Sequence, residues 1–341
     1  MIRVGALGLP EGILGVAEAA RRALAVLATV GIRAEQLSSL RDNHTEPQFL
    51  LSLVNADQTG EIFVRHNLIS SKIPHVGFWA WELEDFPHYL SHATTLVDEI
   101  WVNSSFARDS IEKRTKIPVK VFPIPAKFGF QNKIAKPKSE AFTFLTSFDY
   151  HSDVARKNPY ATVAAFKLAF GESDKVRLVV KSHNSGSFSL EHRELIETIG
   201  GSSNIFRIDE AISAADYENL LANSDCFVSL HRSEGLGLNI LDAMALGIPT
   251  ISTGYSGNLD FQTEENSLLV KYSMTKLNRY GPWPLRSTWA EPSLVDAAEK
   301  MVSMFEEHDL RKSIASRARG DIETQRTLVA CGSALVEMMS S

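Results

Sequence analysis

The amino-acid sequence predicts an α/β protein of two successive doubly wound units, each a parallel sheet with helices on both faces. Three observations carry this reading. The chain has 341 residues, enough for two domains of ordinary size. Short apolar runs alternate with helical patterns through both halves. Between the halves, Pro123, Pro125 and Pro137 punctuate a basic, strand-poor stretch of the kind that links domains.

In the first unit, residues 1–125, Ile2–Leu7 reads as a strand and Leu14–Val30 as a helix with apolar positions three to four apart. Further strands are expected at Gln48–Val54, Ile73–Phe78, Glu99–Val102 and Val119–Phe122, with helical stretches between them. Residues 126–140 form the linker. The second unit, residues 141–318, should hold strands at Phe142–Phe148, Val176–Lys181, Asn204–Arg207, Cys226–Leu230, Thr250–Thr253 and Ser267–Val270. Its helices are expected at Pro159–Phe170, Leu190–Ile199, Ala214–Ala222 and Leu238–Leu246, and three more helical stretches run from Ser293 to about Met339. No repeat of solenoid period and no low-complexity segment interrupts this pattern.

Composition narrows the function classes. Apolar residues make up 44% and charged residues 22%, which suits a globular protein and excludes extensive disorder. A net charge of -6 argues against a nucleic-acid binder. The two cysteines, Cys226 and Cys331, stand in no metal spacing and make no disulfide framework, so a reducing cytoplasm is expected. The first residues lack the basic region and long apolar core of a secretory signal. Glu18, Arg21 and Arg22 interrupt the next apolar stretch, which therefore does not span a bilayer.

Chemistry concentrates between the apolar strand Cys226–Leu230 and the helix that follows, in the run from His231 to Ala245. Gly235 and Gly237 let the backbone approach a ligand closely and allow positive φ. The first amides of the helix, near Gly237, Leu238 and Asn239, lack intrahelical acceptors and carry the positive end of the dipole, a ready phosphate site. Glu234 precedes this cradle, and Asp242 follows with seven residues between them. One carboxylate before a phosphate site and one inside the helix suit a nucleotide sugar, with hexose hydroxyls at one end and ribose hydroxyls at the other. Taken alone, the glycine run also fits a plain strand–turn–helix with a capping acid. The strand before it, Asp242 within it and Gly247-Ile248-Pro249 after it make the combination specific. No GxGxxG follows a strand, so a nicotinamide or flavin site has little support.

These residues resemble glycosyltransferase family 4, retaining enzymes of the GT-B fold, in which two Rossmann-like domains face each other across a cleft. That family carries two glutamates separated by seven residues, within a run like EGFGLPLLEAMA followed by G-x-P-V-I. Here Glu234-Gly235-Leu236-Gly237-Leu238 and Asp242-Ala243-Met244-Ala245 occupy those places. Phe148-Asp149-Tyr150 continuing to Arg156-Lys157-Asn158-Pro159, Ser256-Gly257-Asn258-Leu259-Asp260 and Trp289-Ala290-Glu291-Pro292 look like a bacterial polysaccharide branch of the family. The resemblance implies that Glu234 contacts the donor sugar and is needed for turnover. It implies that Asp242, one methylene shorter than the family's glutamate, binds ribose more weakly or through water. It also implies that Arg156 and Lys157 contact the diphosphate, although the arginine is off the family's usual spacing. A helix N-terminus disfavours cations, so Arg156-Lys157 just before Pro159 favours an anion nearby; a solvated basic helix start is the other reading. As in relatives, the last helix, residues 319–341, is expected to pack back on the first unit.

In the first unit, Gly12 and Gly15 belong to a loop that looks like the family's glycine-rich loop facing the donor phosphates, or else to an ordinary βα turn. The run Gly77 to Pro87 sets two tryptophans and two phenylalanines beside three acids. Aromatic faces stack on the C–H surfaces of sugars and carboxylates accept hydroxyl protons, so Trp81 and Glu82 are expected on an acceptor face, with Phe78 in the core. His75 falls within a strand and has no assigned role. His88 and His92 share a helix face without a third ligand, which is not a metal site, and no DxD motif is present. Arg108, Lys113, Arg114, Lys116, Lys120 and Lys127 either meet anionic headgroups at the inner membrane face or form a solvated surface.

The resemblance thus implies transfer of a hexose from a GDP- or UDP-linked sugar to a glycan or lipid-linked acceptor, with retention, by front-face departure of the nucleoside diphosphate. It implies no metal and no cofactor. Lys157, Arg156 and the Gly237 helix end would stabilise charge on the diphosphate. A nucleotide-sugar epimerase of the same fold and a catalytically inactive nucleotide-sugar-binding protein are the alternatives.

Overall fold

The computed structural model describes residues 2–8, 15–37, 47–69, 71–128, 141–277, 283–284 and 287–340. The chain divides into two compact units. One comprises Met1–Pro125, Leu277–Ser287 and Gln325–Ser341, the other Ala126–Lys276 and Thr288–Thr324.

In the first unit, β1 (Ile2–Leu7), α1 (Gly15–Thr29), β2 (Ile32–Gln36), β3 (Phe49–Ser52), α2 (Ala56–Arg65), β4 (His75–Trp79), β5 (Glu99–Val102), α3 (Ser105–Glu112) and β6 (Val119–Val121) follow in order. The strands form one parallel sheet, β2-β1-β3-β4-β5-β6. Central β4 is buried along its whole length, as expected of a strand with both faces covered. Strand β2 was not anticipated. It lies at the sheet edge and buries Ile32 alone, so its sequence carries no apolar alternation.

The second unit contains β7 (Phe142–Ser147), α4 (Val154–Lys157), α5 (Pro159–Phe170), β8 (Val176–Ser182), α6 (Ser189–Ile199), β9 (Ile205–Asp209), α7 (Ala214–Ala222), β10 (Cys226–Ser229), α8 (Leu238–Ala245), β11 (Thr250–Thr253) and β12 (Leu268–Val270). Its parallel sheet runs β12-β11-β10-β7-β8-β9. Phe144, Phe166, Leu178, Val228 and Ile251 are fully buried in one apolar core beneath it, with Met301 and Met304. An antiparallel pair that the sequence pattern did not reveal, β13 (Tyr272–Lys276) and β14 (Thr288–Pro292), follows. Helices α9 (Leu294–Glu306) and α10 (His308–Gln325) complete the unit, and α11 (Leu328–Ser340) belongs to the first.

Two boundaries differ from the sequence reading. The segment between β13 and β14, assigned there to the second unit, belongs to the first. Leu277 donates its amide to Ser287, and Trp283 packs edge-on against Trp81 with ring centres 5.6 Å apart. Residues 319–324, grouped there with the last helix, stay in the second unit. Asp321 accepts a hydrogen bond from Asn266 at 3.0 Å. The linker's residues 129–140 lie outside the described residues.

Several of the basic residues at 108–127 have intramolecular partners. Arg108 pairs with Asp109, Lys113 donates to the Glu84 carbonyl and Arg114 to the Phe86 carbonyl. Lys120 lies 3.4 Å from Glu99 and donates to the Met338 carbonyl. Among the described residues, no helix is long and apolar enough to cross a membrane.

Helix α11 packs on α1 through a close approach at Gly332, where an added Cβ would sit 2.5 Å from Thr29 Oγ1. That hydroxyl is committed to the Val26 carbonyl at 2.6 Å. Gly332→Ala should therefore lower the thermal unfolding midpoint, with a cost of about 1–3 kcal/mol for overpacking. An unchanged midpoint would show that the contact yields freely.

Candidate functional site

Ligands of doubly wound sheets bind beyond the carboxyl ends of the strands, where the strand order reverses. In the second unit that point lies between β7 and β10, which are neighbours although far apart in sequence. The loops leaving these two strands build the candidate site.

After β7 the chain makes a 3-10 turn, Tyr150–Ser152, and then α4, only four residues long. Asp153 and Asn158 flank α4 with φ of 64° and 51°, a region that short polar side chains tolerate. Arg156 and Lys157 form the last turn of α4. This corrects the helix-dipole reading of the sequence. The left-handed Asn158 separates the two cations from α5, so they sit at a helix C-terminus, which favours positive charge.

After β10 the loop runs to Gly237, with φ 90°, and into α8. A third segment clamps this loop from below. Ser256 Oγ accepts the Glu234 amide at 2.7 Å, and the Gly257 amide donates to the Glu234 carbonyl at 3.0 Å. A Cβ on Gly257 would lie 2.1 Å from the Gly235 carbonyl oxygen, so only glycine fits. Beneath it His231 is fully buried, its Nδ1 with Ser229 and its Nε2 with Asn258 and the Tyr255 carbonyl. Burial lowers its pKa, so it is neutral at neutral pH.

The clamp presents Glu234 to α4. Lys157 Nζ lies 2.5 Å from Glu234 Oε1, and Arg156 Nη1 lies 3.3 Å from Oε2. Arg156 also donates to the Ser233 carbonyl at 2.8 Å. Burial alone would raise the Glu234 pKa, but Lys157 and Arg156 overcome it and hold the carboxyl at about 2. Glu234 is therefore ionised at neutral pH and accepts hydrogen bonds without donating.

The other residues expected at a donor site distribute as follows. Gly235 is buried in the loop, and Leu238 and Asn239 open α8. Asn239 donates to Ser147 at 3.0 Å, across to the end of β7. Asp242 is buried in α8, where its Oδ1 accepts the Lys127 amide at 2.9 Å. Gly15 begins α1, and among the described residues no atom lies within 4 Å of an added Cβ. Gly12 lies outside the described residues. Trp81, expected on an open face, is instead buried in the first unit, edge-on to Phe86 and Trp283 with ring centres 5.2 and 5.6 Å away. Glu82 beside it is half-buried. His75 is a core residue, stacked on Phe63 and paired with the Ser52 hydroxyl at 2.6 Å, and burial holds its pKa near 4. Among the described residues, no group of three or more His, Cys, Asp or Glu could hold a metal ion.

Residues 138–280, which contain all of this candidate site except Lys127, match the family model described as glycosyl transferases group 1. The chain is 23% identical over 218 residues to Uncharacterized glycosyltransferase MJ1059 of Methanocaldococcus jannaschii. That alignment covers 60% of this chain, which spans about half (52%) of the relative's length. Among solved structures, HepE of Anabaena in complex with UDP-glucose aligns over 100% of both chains at 13% identity and a TM-score of 0.74. WaaG, a glycosyltransferase involved in lipopolysaccharide biosynthesis, aligns over 100% of both at 15% identity and a TM-score of 0.66. A mutant of S. aureus TarM, solved with fondaparinux, a GlcNAc-glycerol and UDP, covers 86% of this chain and 55% of its own at 13% identity, with a TM-score of 0.63. At these identities the similarity shows the fold, two parallel-sheet Rossmann-like α/β domains as in GT-B glycosyltransferases.

Sequence reasoning missed the clamp and the partners of the loop. Ser256-Gly257 carried a signal, a serine–glycine step after a strand, but its contact with Glu234 is visible only once β10 and β11 are paired. Arg232, two residues before Glu234, pairs with Glu291 of β14, an element not anticipated.

The depressed Glu234 pKa has a stability consequence. A carboxyl whose folded pKa lies below its unfolded value stabilises the fold above the unfolded pKa, and that stability is lost as pH falls. The window runs from about 4.5 down to about 2. Unfolding free energy measured across this range should fall with decreasing pH and should fall less steeply in Glu234→Gln. Parallel curves for the two proteins would contradict the buried ion cluster.

Proposed function

We propose that the protein is a retaining glycosyltransferase that moves a hexose from a nucleoside-diphosphate sugar to a hydroxyl of a glycan or lipid-linked acceptor. The observation that carries this is the ionised Glu234 held between Arg156 and Lys157 beside the N-terminus of α8. Two cations stand against this one carboxylate, next to amides that lack helical acceptors. That combination suits a diphosphate. The match to glycosyl transferases group 1 supports it. A UDP-linked donor is favoured over a GDP-linked one because the HepE and TarM structures hold UDP. Retention rests on the resemblance to glycosyltransferase family 4.

In this reading, donor binding gives Lys157 and Arg156 a second anion, and the two cations share their charge between Glu234 and the diphosphate. As the glycosidic bond breaks, negative charge grows on the leaving phosphate oxygen, where Lys157, Arg156 and the first amides of α8 stabilise it. Glu234 is too acidic to protonate a leaving group. It accepts hydroxyl hydrogen bonds from the sugar and stabilises the positive charge developing at its anomeric carbon. A phosphate oxygen on the same face takes the acceptor proton. Asp242 accepts ribose hydroxyls while keeping the Lys127 amide. Glu82 of the first unit is the residue assigned to the acceptor.

The test is calorimetric titration with UDP-, GDP- and dTDP-hexoses, followed by product analysis. Binding of one class and acceptor-dependent sugar transfer are expected. Glu234→Gln should keep nucleoside diphosphate binding and lose transfer by about 10²-fold or more, the scale of a missing electrostatic group. Turnover near that of the unaltered protein would overturn the assignment, and isomerised nucleotide sugar formed without acceptor would indicate an epimerase.

A further inference from the structure

We infer that the ion pair between Arg232 and Glu291 positions the donor diphosphate, by setting the cations of α4 in register with Glu234. The inference rests on the donor-site reading above and assigns a role to two residues outside it.

Helix α4 carries both cations but cannot hold itself in place. Four residues are below the length at which a helix gains from its own hydrogen bonds, and both flanking residues have positive φ. The carbonyls of Ala155 and Arg156 are taken by one residue. Arg232 Nη1 donates to the Ala155 carbonyl at 2.6 Å, and the Arg232 amide donates to the Arg156 carbonyl at 2.7 Å. Side-chain capping of final carbonyls by arginine is a known way to end a helix. Here the capping residue stands two positions before Glu234, so a single residue ties the cations to the carboxylate they face.

Arg232 is itself held from the opposite side. Its Nε and Nη2 donate to the two oxygens of Glu291 at 2.6 and 2.9 Å, a bidentate pair whose planar fork fixes orientation as well as distance. Its guanidinium lies 5.3 Å from the ring centre of Trp289. The Ala290 amide donates to the Arg232 carbonyl at 2.9 Å. Three consecutive residues of β14 thus hold Arg232.

The side chains of Arg232 and Glu291 are 18% and 39% exposed, and a partly buried bidentate pair of this kind contributes to folding as well as to position. Its geometry matters for function, because displacing a binding group by about 1 Å costs up to about 10²-fold. Glu291 also neutralises a third cation in the neighbourhood of Glu234. Without it, Arg232 is released from its fork and α4 loses its fixed cap.

The experiment is titration with UDP, together with thermal unfolding, of the full chain and of Glu291→Gln, Arg232→Lys, Lys157→Ala and the Glu291→Gln/Lys157→Ala double variant. Lysine keeps the charge at position 232 but not the fork. Glu291→Gln and Arg232→Lys should each weaken UDP binding about ten-fold, as expected for loss of a bidentate charged contact, in variants that thermal unfolding shows to be folded at the titration temperature. If the pair acts through α4, its loss should matter less once Lys157 is gone, so the double variant should bind UDP more tightly than the product of the two single losses predicts. A merely structural role would make the two effects multiply. UDP affinity unchanged in both Glu291→Gln and Arg232→Lys, or fully multiplicative losses, would overturn the inference while leaving the donor site standing if Lys157→Ala still weakens binding. Failure of the unaltered protein to bind UDP, GDP or dTDP would overturn both.

Discussion

A carboxylate in a protein interior is costly unless it is paired and hydrogen-bonded. Glu234 is such a group, 7% exposed, and the site is organised around meeting that requirement. Lys157 and Arg156 provide the counter-charges, and they reach it because β7 and β10 are adjacent at the point where the strand order turns. Ser256 and Gly257 provide the main-chain partners that keep the Glu234 peptide from rotating away. Losing both cations would leave a buried charge uncompensated, and losing the main-chain partners would let the carboxylate move away from them. The loop, α4 and the turn after β11 are therefore one mutually dependent unit, even though each is short and irregular. Such a cluster is preorganised, with both cations held in place by contacts within the protein.

How much of this could be read from the sequence follows from where the information lies. Central strands such as β4 and β10 were legible because they are buried almost throughout and mostly apolar. Edge strand β2 and the β13–β14 pair were not. Their residues are largely exposed or mixed, and what makes them strands is the neighbour they pair with. In the site, Glu234, the glycines around it and α8 were legible as a local strand–turn–helix chemistry. The partners of Glu234 were candidates by type, but their contact with it depends on sheet topology rather than on any local pattern. Trp81 shows the same limit in reverse. A tryptophan flanked by acids reads as an open recognition surface, and the side chain that covers it, Trp283, comes from an excursion far along the chain.

The arginines of the site divide its tasks in a way that residue type alone does not reveal. Arg156 and Arg232 both donate to main-chain carbonyls on segments remote from their own. Arg156 meets a buried carboxylate that it shares with Lys157, so its contribution there is its charge. Arg232 meets Glu291 in a closed fork, so its charge is locally cancelled and its contribution is directional. A lysine could supply the first kind of contribution but not the second, because its ammonium is a point charge without a fork.

Asp242 carries the last step of this argument. It stands where the resembling family has glutamate, and its shorter side chain keeps the carboxylate close to α8. From there Oδ1 reaches the Lys127 amide, in the first residues after the Pro123–Pro125 punctuation. A carboxylate offers about four acceptor sites, so this bond and a pair of ribose hydroxyls are compatible on one side chain. The aspartate also lies near Tyr217, whose hydroxyl pKa it helps to raise. That hydroxyl bonds Ser147, which also accepts from Asn239. A ribose held by Asp242 would therefore be held by a group already fixed at the chain's entry into the second unit. The shorter acid exchanges reach for rigidity, and in a site that depends on register, rigidity is the property that the neighbouring residues also provide.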